Sequence, residues 1–540
     1  MKILGYHITS NRILANSDGE VCTSPPYLDF LLERKPETIK VFYHMNYSIA
    51  NLLKMIGITK YEAQKLQNNN QFYTAPYNIK YIAGKFFSVK EGQYFGSPFA
   101  IFGDMSQYRP ATFEGEETAE TCLAKAREAQ KTGEEVYKTL VSLGLRPTSL
   151  TSPVKAYEKE VLSKMNLPTV DDIPEEAGYY AYQCCHGNWL EAFQLGHWEK
   201  AYDYDINSAF PSELTKLLDL RKGIWIKKKE YQSEARYGYC RGIVTITAPF
   251  SPVIYYREGS EPNSLNYTPA GSWETFLPKQ VVEFIYRWNL GTFRLEDGWW
   301  WTPTAEDRVF SNIIEQLYWR KEQSTGLGRE TIKRTMSGIW GKLLQVQKDG
   351  FGDMFNPVYG AEVETNTRLR VAEFALQNKI CPIHIAVDGL TSPKPVELPQ
   401  NEAKIGRWEL ASPPEGAACV CAGTAVMAIK GRVKSADFSL DYDWLVEEIG
   451  KNPEAQEYKI RKLSPVTLAV ALNGNWEKLG QLHEITKVVG IGSDIKRCYK
   501  EFPQNGRELL SRQYGSEPWD ISVVEQTVKG KEPVQGGISE

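Results

Sequence analysis

The 540-residue sequence has no apolar run long enough to span a membrane and no strong net charge. Its formal net charge is −4 and its pI is near 6.1, so no global basic field indicates nucleic-acid binding. Any such binding must use local clusters of lysine and arginine. The first residues do not resemble a signal peptide, and we expect no membrane partner.

The cysteine and histidine patterns of disulfide frameworks and zinc ribbons are also missing. The nine cysteines are an odd number spread over the whole chain, which favours a reducing, cytoplasmic location. Residues 184–186 (CCH) and 419–421 (CVC) lack the paired spacing of a zinc site, so we expect buried thiols there. The six histidines form no His-x-x-x-His pair.

Acidic side chains interrupt an apolar stretch near residue 205. Residues 201–206 (AYDYDI) have the composition of a strand, but they carry Asp203 and Asp205, which a strand core would not bury. The chain then turns, and Pro211 ends regular pairing. A carboxylate at the end of a strand beside a tight turn suits a hard cation such as Mg²⁺.

Two helices are predicted further along the chain, at residues 306–322 and 329–345, joined by a loop at 324–328. On the second helix, Arg329, Lys333 and Ser337 follow one another at intervals of four and therefore form one stripe. Such a stripe could bind a triphosphate, although a solvated helix face is the more common structure for this pattern.

A third stretch, residues 383–391 (IHIAVDGLT), is apolar up to Asp388-Gly389, a dipeptide favoured in tight hairpin turns. The pattern predicts two strands with the turn at Asp388-Gly389. A structural role for this aspartate in the turn and a functional one are about equally compatible with the pattern.

These three stretches, in this order, resemble motifs A, B and C of family B DNA polymerases. Residues 205–212 (DINSAFPS) are similar to motif A, Asp-x-x-Ser-Leu-Tyr-Pro-Ser. Residues 333–341 (KRTMSGIWG) are similar to motif B, Lys-x-x-x-Asn-Ser-x-Tyr-Gly, with the lysine and last glycine retained. Residues 384–389 (HIAVDG) resemble motif C, Tyr-x-Asp-Thr-Asp-Ser, with Asp388 at the second aspartate and Ala386 at the first.

A weaker resemblance follows motif C. Residues 405–408 (IGRW) resemble the Leu-Gly-x-Trp segment of the family, but residues 423–425 (GTA) replace the Lys-x-Tyr that should come next. Lys430 is the predicted substitute for the lost charge. Before motif A, Gly187 alone fits the Tyr-x-Gly-Gly loop that touches the template strand; a simple turn is an equally good interpretation.

The resemblance implies an α+β fold, a right-hand polymerase with palm, fingers and thumb behind an N-terminal ribonuclease H-like domain of the exonuclease type. The implied domains are a degenerate exonuclease-like domain (1–155), a linker with a template-contacting loop (156–200), palm with an insertion (201–304), fingers (305–346), palm (347–432), and thumb with a C-terminal tail (433–540).

The N-terminal domain does not show the carboxylates that this resemblance requires. The opening strand offers His7 but no Asp-x-Glu, and Ser48 stands where the second exonuclease motif has its aspartate. Around residues 122–130 there is no Tyr-x-x-x-Asp. A two-metal site cannot form without its carboxylates, so we predict an exonuclease-like fold without the chemistry.

Site residues follow from the resemblance, position by position. Asp205 and Asp388 are the implied catalytic carboxylates and ligands of two Mg²⁺ ions, with Mn²⁺ as an alternative, and Asp203 is a candidate outer ligand. Phe210 would lie under the sugar of the incoming nucleotide. The other implied residues are Arg320, Arg329, Lys333, Ser337 and Gly341 for the nucleotide, and Gly187 and Lys430 for DNA.

The predicted function is a DNA-directed DNA polymerase that adds deoxynucleotides to a 3′-hydroxyl without proofreading. Its expected partners are primer-template DNA and dNTPs, with a terminal protein, a helicase or other replisome proteins as candidates. A phage- or plasmid-encoded chain would act in the host cytoplasm. The alternatives are a catalytically silent polymerase relative that binds nucleic acid or scaffolds a replisome, and a primase-polymerase.

Overall fold

The computed structural model describes residues 1–33, 37–92, 99–113, 116–255, 266–347, 350–399, 404–432, 440–492 and 494–529. The chain forms two compact units. The first contains residues 1–166, 316–338 and 461–486, and the second contains 167–315, 339–460 and 487–540. The predicted tail beyond residue 529 lies outside the described residues.

The first unit is built around a mixed eight-stranded sheet in the order β3-β2-β1-β4-β8-β7-β6-β5. Its elements are β1 Lys2–Ile8, β2 Leu14–Asn16, β3 Val21–Cys22, α1 Tyr27–Leu32, β4 Thr38–Phe42, α2 Met45–Met55, α3 Lys60–Asn69, β5 Gln71–Thr74, β6 Tyr77–Ile82, β7 Phe86–Glu91, β8 Phe99–Asp104, α4 Ala119–Ser142 and α5 Pro153–Glu160.

The central strand β1 is buried on both faces, as expected for a strand whose neighbour β4 runs parallel to it. Helix α4 covers one of these faces. The two elements approach so closely that a Cβ at Gly5 would overlap the backbone of Ala126. The N-terminus of α4 is fixed by a capping box between Thr118 and Thr121.

Residues 41–48, which end at the exonuclease-motif position Ser48, do not form one strand. Strand β4 ends at Phe42, and helix α2 begins at Met45, with His44 Nδ1 accepting a hydrogen bond from the Tyr47 backbone N–H. The side-chain cap stops the strand and starts the helix. Ser48 therefore lies on a buried helix and not at the end of a strand.

The second unit contains two sheets and the helices that cover them. Its first elements are α6 Glu175–Gln183, β9 Leu190–Ala192, β10 Gln194–Ile206, α7 Ala209–Leu214, β11 Gly223–Lys228, β12 Tyr237–Ile246, β13 Gly271–Pro278, α8 Lys279–Arg287 and β14 Gly291–Pro303. Two helices, α9 Ser311–Glu322 and α10 Gly326–Leu343, each belong partly to both units.

The remaining elements are β15 Val346–Gln347, β16 Gly350–Phe351, α11 Pro357–Gln377, β17 His384–Ala386, β18 Gly389–Ser392, β19 Trp408–Leu410, β20 Ala417–Gly423, β21 Val426–Ile429, α12 Tyr442–Lys451, β22 Glu457–Pro465, α13 Leu468–Asn473, β23 Leu482–Gly490, α14 Gly506–Ser511, β24 Tyr514–Gly515 and α15 Ile521–Lys529.

The first sheet of this unit is organised on β10. Its strands follow the order β21-β20-β10-β18-β17-β9, and β19 and β24 also pair with β10. Every pairing of β10 is antiparallel. The second sheet has the strand order β11-β14-β12-β13, and its strands lie between β10 and the helical hairpin in the sequence. Trp300 and Trp301 of β14 are fully buried.

The helical hairpin is shorter than the sequence pattern indicated. Helix α9 begins at Ser311 rather than at residue 306, because residues 304–310 form turns and an isolated bridge between Arg308 and Leu218. Helix α10 already begins at Gly326, so only residues 323–325 remain as the connection.

The predicted thumb, residues 433–540, divides between the two units. Leu468 and Leu472 of α13 join the apolar core of the N-terminal domain. Strand β24 returns to the second unit and pairs with β10. The sequence could not show this division, because it depends on contacts between residues hundreds of positions apart.

A buried ion pair attaches the C-terminal segment to the second unit. Arg497 Nη1 lies 2.8 Å from Glu191 Oε1, and both side chains are only 2% exposed. Thr268 and the indole of Trp189 also donate hydrogen bonds to the Glu191 carboxylate, and Arg497 Nη2 donates to the Pro249 carbonyl. In the described part of the chain, no helix is long and apolar enough to cross a membrane.

We predict that Arg497→Met lowers the free energy of unfolding by about 3–5 kcal/mol, because it leaves the Glu191 carboxylate buried without its cation. Urea unfolding followed by circular dichroism measures the change. The control is Lys500→Met, which removes an exposed ion pair to Glu517 and should leave the midpoint unchanged. An equal effect of the two substitutions would contradict the role assigned to the buried pair.

Candidate active-site cleft

Strand β10 carries acidic and apolar side chains on opposite faces. Tyr202, Tyr204 and Ile206 belong to the apolar core, whereas Asp203 and Asp205 line a cleft on the other side. The strand pairs with β18 in antiparallel register, with Asp203 opposite Thr391 and Asp205 opposite Gly389. The placement of Asp203 and Asp205 on one face agrees with the strand period of the sequence.

The hairpin between β17 and β18 brings Asp388 to the same cleft. Ala386 pairs with Gly389, so the turn residues are Val387 and Asp388, not Asp388 and Gly389 as predicted. Val387 has a φ of +61°, a strained conformation for a β-branched residue, and its N–H donates to the Trp189 carbonyl. The Asp388 carbonyl accepts a hydrogen bond of 3.1 Å from the Ile206 N–H at the end of β10.

Gly389 permits the close approach of the two strands. A Cβ at this position would lie 2.6 Å from the Tyr204 carbonyl oxygen and 3.0 Å from Asp205 Oδ1. The Asp205 carboxylate thus lies directly against the residue that follows Asp388. Motif C of the family has serine here, and glycine is the replacement that this contact allows.

The cleft has a volume of about 450 Å³ and contains groups of both charges. Asp203, Asp205 and Asp388 line it together with Arg432 and Lys487. The sequence interpretation missed both cations, because they lie 227 and 282 residues after Asp205 and belong to no recognisable motif. Arg432 reaches the cleft through β21 and β20 of the β10 sheet, whereas Lys487 lies on β23, which pairs with β22 in a separate sheet.

The residues present fit a divalent cation that binds together with a nucleotide. Mg²⁺ is commonly held by one or two carboxylates plus substrate phosphates and water, and Asp205 and Asp388 supply two carboxylates from adjacent strands. Among the described residues, no group of three His, Cys, Asp or Glu side chains could hold a metal without a substrate. Ala386 stands at the position of the first aspartate of motif C.

Asp203 has other partners. Its Oδ1 accepts a hydrogen bond of 2.8 Å from Thr391 Oγ1, and its Oδ2 pairs with Arg432 Nη1. With its two oxygens engaged and its side chain 3% exposed, Asp203 is a poor candidate for the outer metal ligand that the sequence suggested.

A third residue that the sequence interpretation missed, Arg370 of α11, supports helix α7 directly after the turn that follows β10. Its guanidinium donates to Ser212 Oγ, to the buried Glu213 carboxylate and to the Gly406 carbonyl. The turn also exchanges backbone hydrogen bonds with the IGRW segment, from Gly406 N–H to the Asn207 carbonyl and from Asn207 N–H to the Arg407 carbonyl. The motif A turn and this segment therefore form one rigid structure.

Phe210 stacks on Trp340, with ring centroids 4.6 Å apart and planes at 32°. Phe210 lies in the first turn of α7, and Trp340 is the motif B residue that replaces tyrosine. Both rings are half-buried. The contact joins the motif A and motif B positions, which are 130 residues apart in the sequence.

In the first unit, the α9–α10 hairpin packs on the N-terminal domain. Arg320 Nη1 donates a hydrogen bond of 2.6 Å to the Ser142 carbonyl at the C-terminus of α4. This predicted nucleotide-binding residue therefore has a structural partner. Arg329 pairs with Glu322 at 3.1 Å. Lys333 is exposed and Ser337 is half-exposed on the same helix, as the stripe predicted.

Two glycines of α10 have different environments. A Cβ at Gly338 would lie 2.9 Å from the Cβ of Val154, so the close packing of α10 on α5 explains why glycine replaces the serine of motif B. A Cβ at Gly341 would meet nothing within 4 Å. Packing does not explain Gly341, which occupies an exposed helical position where alanine would be more stable.

The predicted DNA-binding residues lie outside the cleft. Gly187 has a φ of +74°, and its N–H donates 3.2 Å to the buried Glu364 carboxylate, which accounts for the glycine as a turn residue. Lys430 is exposed and pairs with Asp443 at 3.4 Å. Lys430 therefore does not supply the cation of the cleft; Arg432, two residues later, is the cation that lines it.

In the N-terminal domain, the positions of the expected exonuclease acids hold neutral groups. His7 is fully buried and stacks on Tyr47, with ring centroids 5.7 Å apart. Burial, with a contribution from the nearby Lys125 and His44, lowers the pKa of His7 well below its usual range, so it is neutral. Ser48 is fully buried on α2. Glu117 is engaged by Tyr47 and Ser10.

Comparison with solved structures finds this fold in phi29 DNA polymerase. Its ternary complex with primer-template DNA and incoming nucleotide substrates matches with a TM-score of 0.60 at 12% identity, covering 91% of this chain and all of that one. Its complexes with primer-template DNA and with single-stranded DNA give TM-scores of 0.58 and 0.59 at 13% and 12% identity and the same coverage. No protein-family model and no curated protein matches.

The chain thus has the mixed α+β fold of phi29 DNA polymerase. The fold class expected from the three motifs is confirmed. At 12% identity the likeness establishes the fold, and the chemistry has to be argued from the residues of the cleft.

We predict that Gly341→Ala stabilises α10 by up to about 1 kcal/mol, because glycine costs stability inside a helix. If Gly341 contacts the incoming nucleotide, as the resemblance to motif B implies, the same change should weaken nucleotide incorporation. Gly338→Ala should instead destabilise the protein by about 1–3 kcal/mol through its contact with Val154. Thermal unfolding and the KM for a dNTP measure the two effects. A Gly341→Ala protein with unchanged KM would show that the position has no contact with substrate.

Proposed function

We propose that this chain is a DNA-directed DNA polymerase that adds deoxynucleotides to a primer 3′-hydroxyl and does not proofread. The observation that carries the proposal is the meeting of Asp205, on β10, and Asp388, in the turn before β18, in one cleft that also holds two cations. The substrates of polymerisation are polyanions whose transfer needs carboxylates for a metal and cations for phosphates.

In this reaction the primer 3′-oxygen attacks the α-phosphorus of the nucleotide, the bond to the β-phosphate breaks, and pyrophosphate leaves. Bound Mg²⁺ would supply charge neutralisation and activation of the 3′-hydroxyl. Asp205 and Asp388 are the residues that would hold it. The hydrogen bond from Ile206 N–H to the Asp388 carbonyl and the contact at Gly389 keep the two carboxyl-bearing segments in a fixed relation before substrate binds.

The remaining proposed roles concern binding. Lys333, exposed on α10, is the proposed triphosphate cation, with Arg329 as its neighbour one turn earlier. Arg320 would have to leave the Ser142 carbonyl to join them. Phe210, held against Trp340, is proposed to lie under the deoxyribose and leave no space for a 2′-hydroxyl. Primer-template DNA and dNTPs, the molecules bound in the phi29 complexes, are the proposed partners.

A specific observation favours a second candidate, a polymerase relative that binds nucleic acid without catalysis. Ala386 replaces the first aspartate of motif C, and residues 423–425 (GTA) replace the Lys-x-Tyr segment. Asp388, the motif C carboxylate that carries metal coordination in the resemblance, is retained, and for this reason we favour the enzyme. The next experiment separates the two.

Single-turnover extension of a labelled primer on a template should show incorporation by the wild-type protein. Asp205→Asn and Asp388→Asn should each reduce the rate by about 10³-fold, several kcal/mol of transition-state stabilisation, because either change removes a metal ligand. Both variants should keep their affinity for DNA. Asp353→Asn, at an exposed position outside the cleft, is the matched control.

Two results would contradict this assignment. Near-normal incorporation by Asp388→Asn would remove motif C from the active site. Tight DNA binding by a wild-type protein that never extends the primer would favour the catalytically silent relative.

The absence of proofreading has a separate test. With His7 and Ser48 at the positions of the family carboxylates, we predict no shortening of a 5′-labelled single-stranded oligonucleotide in Mg²⁺ or Mn²⁺ when dNTPs are omitted. The same preparation must extend a primed template when dNTPs are added. The mock-purified extract is the control for contaminating nucleases. If both the wild-type protein and a Glu117→Gln variant degrade the oligonucleotide and the mock extract does not, the chain has a nuclease site that does not use Glu117.

A further inference from the structure

The cleft contains a cation whose position is set by a buried acid. Arg432 follows strand β21, and its N–H donates 3.1 Å to the Ile429 carbonyl, which fixes the backbone at this point. The Arg432 side chain is 31% exposed, and its guanidinium pairs with Asp203. Asp203, Asp205 and Asp388 line the same cleft as this cation.

Asp203 itself cannot move easily. Its carboxylate accepts from Thr391, its backbone N–H donates 3.1 Å to Ser412 Oγ, and its side chain is 3% exposed. The guanidinium has five N–H donors, and one carboxylate oxygen does not use them all. Asp203 can therefore hold Arg432 in place while Arg432 still binds a second anion.

The residues that line the cleft indicate which anion this is. Asp203 lies two residues before Asp205, or about 7 Å back along the strand. Phe210, the proposed contact of the incoming sugar, follows the turn after β10 and is not among the residues that line the cleft. Arg432 and Lys487 do line it, so they are candidates for a phosphate other than those of the incoming nucleotide.

We propose that Arg432, positioned by Asp203, binds a backbone phosphate of the primer strand next to its 3′ terminus. The inference rests on the proposed polymerase function and assigns Asp203 a positioning role in place of metal coordination. Arginine suits this role because its planar fork matches a phosphate group, and a phosphate contact carries no sequence preference.

The test measures DNA binding directly, without catalysis. Anisotropy of a labelled primer-template gives Kd over a range of salt concentrations for Arg432→Gln. We expect Kd to rise about tenfold and the salt dependence of binding to decrease by about 0.9, the value for one phosphate contact. The KM for dNTP should stay unchanged. Arg507→Gln removes an exposed arginine that pairs with Glu454 and should alter neither quantity.

The role of Asp203 requires a different readout. Asp203→Asn should raise Kd severalfold but leave the salt dependence unchanged, because Arg432 is still present and only less well placed. Adding Asp203→Asn to Arg432→Gln should produce no further loss, since the acid acts only through the arginine. This double variant also removes the uncompensated buried charge, so it keeps the experiment valid if Arg432→Gln alone folds poorly.

Three results would overturn the inference. Unchanged Kd and salt dependence in a folded Arg432→Gln or double variant would make the pair purely structural. A higher KM for dNTP with unchanged DNA binding would assign Arg432 to the triphosphate. A wild-type chain that does not bind primer-template would also reject it. If wild-type protein binds DNA through Arg432 without extending it, the polymerase proposal fails and this inference stands.

Discussion

The close antiparallel contact between β10 and β18 is the constraint on which the candidate site depends. Strand β10 is the common partner of four strands, and at Asp205 it approaches β18 so closely that only glycine fits opposite. The same contact holds the Asp388 turn through the Ile206 N–H. Two carboxylates that lie 183 residues apart in the sequence are thus placed by backbone hydrogen bonds, which do not depend on the flexibility of side chains.

The elements around this contact restrict it further. Arg370 ties the turn after β10 to α7 and to the IGRW segment, and Arg497 with Glu191 ties the C-terminal segment to the strand that precedes β10. These are cations that satisfy buried acids. Separating the partners of such a pair lowers the stability of the fold by several kcal/mol. The segments that these pairs join are therefore held firmly around the site.

The N-terminal domain supports the helical hairpin that follows the second sheet. Its apolar residues form a sheet core, and His7 and Ser48 are buried with it. The α9–α10 hairpin packs on this domain through Arg320 on α4, Arg334 over Tyr108, and Gly338 against Val154. The domain therefore has a packing role for the helix that bears Lys333.

Local patterns determined much of this protein. The sequence alone indicated the strand and turn at Asp205, the helical hairpin and the polymerase fold class, because alternation, helix periodicity and short motifs depend on neighbouring residues. It misplaced the turn at Asp388, because a strained Val387 is tolerated only with its tertiary hydrogen bond to Trp189. Only the tertiary structure showed that Arg432, and not Lys430, lines the cleft. It also showed that Asp203 pairs with Arg432 and that β24 pairs with β10. These contacts join residues more than 200 positions apart, and no local preference of the chain encodes them.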